Sequence, residues 1–126
     1  VTDSTSTTQF QAMAAAAESG ELRLSGDAAE RCARACRDYI DGLDRLRRGA
    51  DRLVRLESFG DLESAQQLGK KFFDLAVGSE GSFEDIVQKH IDTAMQMEDM
   101  FIKAGAAYRA TEESNTQGLG AAGSAL

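Results

Sequence analysis

Apolar residues recur at helical spacing through most of the chain, and the spacing changes little from one segment to the next. From Cys32 through Cys36, Tyr39, Leu43, Leu46, Ala50 and Leu53 the steps are 4, 3, 4, 3, 4, 3. This 3.5-residue repeat predicts a helix packed along its length against another. Its start is marked by Asp27 as N-cap and Glu30 at the reciprocal capping-box position. Ala35, Gly42 and Gly49 form a second line beside the seam. Two mid-helix glycines there have two readings: close approach of a neighbouring backbone, or exposed glycines tolerated by a long helix. The helix is expected to end within "ESFGD", where Gly60 supplies a stop and Asp61 or Ser58 can cap the next helix.

The second arm comes in two pieces. "LESAQQLGKKFFDLAV" places Leu62, Ala65, Leu68, Phe72, Leu75 and Ala76 on one helix face, and Gly78 and Gly81 flank an interruption. Ser82 as N-cap with Asp85 at the third helical position opens a third segment. Here Phe83, Val87, His90, Ala94, Met97, Phe101, Ala104 and Tyr108 step 4, 3, 4, 3, 4, 3, 4. The two seams are joined by a short connection, so they are expected to fold back as an antiparallel hairpin with a broken second arm. The predicted fold class is therefore all-α. Residues 27–113 form the hairpin domain, 1–26 a flexible extension with a short helix over "FQAMAAAAES", and 114–126 a disordered Gly/Ala/Ser-rich tail.

A hairpin buries one face of each arm. Ile40 and Val54 on one arm, and Ile86, Met95, Met100 and Ile102 on the other, cannot all face the same seam. They are the expected partner interface. A four-helix bundle completed by a helical protein partner, as a homodimer or a heterodimer, would cover them.

Composition narrows the chemistry. The chain has no Pro and no Trp, and 42% of its residues are hydrophobic, which suits a helical core. Its net charge of −7 argues against nucleic-acid binding. Between Asp27 and Glu57, eight Arg alternate with seven acids, as expected for ion pairs along a solvated helix face. No stretch approaches a membrane span, so no stable membrane insertion is expected. The N-terminal residues have neither a basic region nor a long apolar run of a signal peptide, so any secretion would use another route.

Catalytic candidates are few. His90 stands alone at a seam position, and Cys32 and Cys36, one helical turn apart, read as small thiols on an apolar stripe. No metal-ligand set, phosphate-binding glycine loop or nucleophile elbow is present, so neither cofactor nor enzymatic activity is expected.

At the end of the second arm, "YRATE" sets Tyr108 and Glu112 four residues apart. With the hairpin pattern, this resembles the ESX, or Trp-x-Gly, superfamily of small type VII secretion substrates of actinobacteria. In the stretch where that family turns at Trp-x-Gly, this chain has "SFG", with Phe59 beside Gly60. The resemblance covers roughly residues 27–113 and is one of organisation. It implies a secreted or cell-envelope protein that binds a helical partner and the type VII secretion machinery. Tyr108 and Glu112 would be its Tyr-x-x-x-Asp/Glu export signal. Two alternatives stand beside it: a cytosolic homo-oligomeric helical scaffold or adaptor, and a Tyr108 that closes the core beside a surface acid.

Overall fold

The computed structural model describes residues 2–53 and 59–125. Among these the chain is all-helical: α1 (Thr2–Glu18), α2 (Gly26–Leu53), α3 (Glu63–Ala76) and α4 (Phe83–Ala125). Two compact units divide the chain, one of Val1–Arg37 with Thr93–Leu126 and one of Asp38–Asp92.

The first unit is built on small side chains. Ala14 and Ala17 of α1, Ala29 of α2, and Ala94 and Ala104 of α4 are all buried. Stepping along α2 from Ala29 to Arg37, the neighbours on α4 step backwards from Gly105 to Glu98, so these stretches run antiparallel. The approach is close, since a Cβ added at Gly105 would lie 2.7 Å from the Cβ of Ala29. Arg37 grips Glu98 with both ends of its guanidinium, Nε donating to Oε2 at 2.9 Å. Along α1, Thr7 meets Thr93 at 3.0 Å and Glu18 pairs with Lys103 at 2.7 Å, so α1 runs parallel to α4. Glu18 and then Asp99 hold the Lys103 ammonium above its ordinary pKa.

Three expectations change in this unit. The Ser/Thr-rich start is helical, because docking along α4 supplies partners that an isolated peptide lacks. The cap of α2 is Ser25, whose hydroxyl accepts from the Ala28 N–H at 3.4 Å. Asp27 and Glu30 instead lie inside the helix, paired with Arg31 and Arg34. Lastly, α4 continues to Ala125 beyond the expected limit at Ser114. With no Pro to stop it, its turns close, and the Thr116 and Ser124 hydroxyls bond back to Glu112 and Gly120 carbonyls.

In the second unit Ile40, Val77, Val87 and Ile91 are buried. The seam of α2 shares Cys36, Leu43 and Ala50 with the predicted one. It turns, however, so that Ile40 replaces Tyr39 and Arg47 replaces Leu46, leaving Tyr39 and Leu46 exposed. Arg47 fits because its stem is apolar and its head donates to Gln88 at 2.9 Å and to Asp44 at 2.7 Å. On α4, Ile91 takes the core position expected for His90. The His90 ring is exposed and shares a 2.8 Å hydrogen bond with the Ile86 carbonyl. The N-cap of α3 is Leu62, with no side-chain cap, in place of Asp61; Ser58 lies outside the described residues.

The α3–α4 turn forms as expected: Gly78 and Gly81 both take positive φ, and Ser82 caps α4 through the Asp85 N–H at 3.2 Å. Asp85 in turn accepts from the Gly81 N–H at 2.9 Å; that bond and Lys89 hold its pKa below the ordinary value. Close approach occurs at Gly69, by the Phe59 ring, and at Gly105, by the Ala29 methyl of α2. Gly49 has open space beside it, and Gly42 meets only the Arg45 side chain.

Candidate partner surface and tail epitope

Tyr108 and Glu112 sit one turn apart on the unbroken α4, so ring and carboxylate lie on nearly the same face. Tyr108 is half-buried and Glu112 is exposed. The residues from Glu112 to Ser124 are all exposed, so access to the pair comes from an exposed helix, not a structureless tail. Beside it, a groove of about 530 Å³ opens between the end of α1 and α4, floored by Ala17, Ala107 and Ala110.

The expected interface residues separate. Ile40 and Met100 are 6% and 3% exposed, so they belong to this chain's own core and are not available to a partner. Ile86, Met95 and Ile102 are exposed, and Val54 lies outside the described residues. Met95 and Ile102 are two turns apart on α4, where side chains align along one stripe. Ile102 also borders a shallow groove of about 320 Å³ with Ala29, Ala33, Phe101 and Gly105.

No family model, curated protein or solved structure matches this chain. What it can do is therefore read from its own residues.

Phe59 and Gly60 lie in the second unit. Gly60 has φ +82°, the left-handed conformation that favours glycine, and the Phe59 ring rests directly on Gly69 of α3. The ring also stacks against Phe72 at 6.1 Å. That ring covers Gly69 and buries it, and a Cβ there would lie 2.7 Å from the ring.

Sequence reasoning missed one apolar surface. The apolar face of α3 remains largely open: Leu68, Phe72 and Leu75 are 50%, 48% and 70% exposed. The usable signal was the width of the α3 apolar arc, which exceeds what one packed strip can cover.

Burial pushes the Cys36 thiol above its ordinary pKa, with the Glu98 carboxylate and Cys32 adding to the effect. Among the described residues no three His, Cys, Asp or Glu gather as a metal-binding group, and no helix is long and apolar enough to cross a membrane.

Proposed function

We propose that this chain is a small helical binding protein of a type VII, ESX-like secretion system. It binds a helical partner through exposed apolar side chains and presents Tyr108 and Glu112 as its export signal. In this reading α2 and α4 are the arms of a hairpin that completes a four-helix bundle with the partner, and α3 is the break in the returning arm.

The observation that supports it most is on α4. One continuous helix carries the exposed stripe of Met95 and Ile102, then Tyr108 and Glu112 one turn apart. A helical partner laid along Met95 and Ile102 would end beside that pair, and a receptor could read partner and signal together. Phe59, resting on Gly69, stands in the stretch where that family turns, and in this reading it takes the place of the turn aromatic.

The test is fractionation of tagged protein in a host carrying a type VII system, with known small helical partners co-expressed. Wild type is expected in the culture filtrate; Tyr108→Ala and Glu112→Ala are expected to stay in the lysate with unchanged helical circular dichroism. Retention of wild type under these conditions would overturn the export reading and leave a cytosolic homo-oligomeric scaffold.

A further inference from the structure

The open face of α3 has a defined shape and a defined charge. Leu68, Phe72 and Leu75 follow one another at steps of four and three, so they form a single stripe. Together they leave about 300 Å² of apolar surface in water, within the range of the largest patch on a folded monomer, which is often a functional one. The stripe is also braced, since Phe59 stacks on Phe72 while resting on Gly69. It is an ordered surface on a helix, the type that receives another helix.

Its border carries a cation. Lys71 lies three residues after Leu68 and four before Leu75, one turn from each. It is exposed, and among the described residues neither Lys71 nor its neighbour Lys70 is in an ion pair. Asp74 lies further round the helix from the stripe than Lys71 does. In a chain of net charge −7, α3 is neutral, with Glu63 and Asp74 against Lys70 and Lys71, and Lys71 is its charge nearest the stripe.

That charge chooses between occupants. In a second copy packed antiparallel about a two-fold axis, Phe72 would meet Phe72, and Leu68 would meet Leu75. The apolar match is good, but each Lys71 would then sit against its twin across the axis, and like charges opposed at an interface oppose association. A helix with acidic residues along one edge of its apolar stripe would instead complement Lys71.

We infer that the Leu68–Phe72–Leu75 stripe of α3 is a docking surface for an acidic amphipathic helix of another protein, with Lys71 selecting for its acidic edge. The inference rests on the partner-binding half of the proposed function and not on the export signal.

The test uses the full chain and a labelled synthetic helix of about three heptads, with Leu at the seam positions and Glu at the flanks. A matched peptide carries Lys at the flanks. Fluorescence anisotropy is expected to show the Glu peptide binding about tenfold more tightly than the Lys peptide. Lys71→Glu should invert that preference, and Leu68→Ala with Leu75→Ala should abolish binding, while circular dichroism stays unchanged because all three side chains are exposed. Equal binding of both peptides, or of neither, would overturn the inference. So would a concentration-dependent dimer of the chain alone, seen by sedimentation and abolished by Leu75→Glu, because a second copy would then occupy the stripe. Tyr108→Ala should bind the Glu peptide as wild type does. Export that depends on Tyr108 without peptide binding would leave the proposed function standing, and peptide binding without export would leave this inference standing.

Discussion

Replacing Gly105 by Ala puts two opposed effects on one atom. Helix propensity favours the change, by up to about 1 kcal/mol for Gly to Ala in a helix interior. The new Cβ, however, would lie 2.7 Å from the Cβ of Ala29, where carbon atoms pack best at about 3.5–4.0 Å. Neither atom can rotate away, because both are fixed to helix backbones. Relief therefore requires α2 and α4 to separate by roughly 1 Å at this crossing. The shift would also disturb neighbouring Ala104, which is fully buried and whose carbonyl accepts the Leu24 N–H at 3.2 Å. Overpacking of this kind costs about 1–3 kcal/mol. The net expectation is a destabilisation of about 1 kcal/mol, or about 4 °C in Tm for a chain of this length. Thermal unfolding followed by circular dichroism measures it. The double variant Gly105→Ala with Ala29→Gly moves the methyl from one helix to the other and should recover most of the loss. Its coupling should be about 1 kcal/mol or more in a double-mutant cycle. A Gly105→Ala variant that melts higher than wild type, or a cycle with no coupling, would refute the close approach.

Ser82→Ala removes the cap of α4 at a buried position and should lower stability by about 1 kcal/mol in urea titration. Asp85 has a lowered pKa in the folded chain, so its contribution is full above its ordinary value near 3.8 and is lost as pH falls through the lower folded value; Asp85→Asn should flatten that acid limb of the stability curve. Arg37→Ala should cost about 1 kcal/mol at low salt and less at high salt, because Arg37 is half-exposed although Glu98 is well covered. Iodoacetamide followed by peptide mass mapping should label Cys32 before Cys36 at every pH, with the gap narrowing as pH rises through the raised pKa of the Cys36 thiol.

Legibility in the sequence followed the range of the forces involved. Ser82 capping α4, the glycines of the α3–α4 turn, and the alternating Arg and acid pairs on α2 all depend on neighbours within a turn or two. The sequence identifies them correctly. Tyr108 and Glu112 fall in the same class, since helical spacing alone sets them on one face. Ile40 and Met100 do not. Whether an apolar side chain beside a seam turns inward or stays in water depends on the rotation of one helix about another, and a one-position shift exchanges Ile40 with Tyr39 and Arg47 with Leu46.

By itself, then, the sequence determined an all-helical chain, the break between α3 and α4 and the placement of Tyr108 and Glu112 one turn apart on a helix, because each rests on 3.6-residue periodicity and on backbone groups satisfied close by. Only the tertiary structure decided that a Ser/Thr-rich start docks as α1 and that Gly105, not Gly42 or Gly49, meets a neighbouring helix. It also decided that the apolar stripe of α3 remains in water. The physical reason is common to all three: close packing depends on the position of atoms distant in the chain, and a repeat spacing carries no record of which of its two possible seams the neighbour will take.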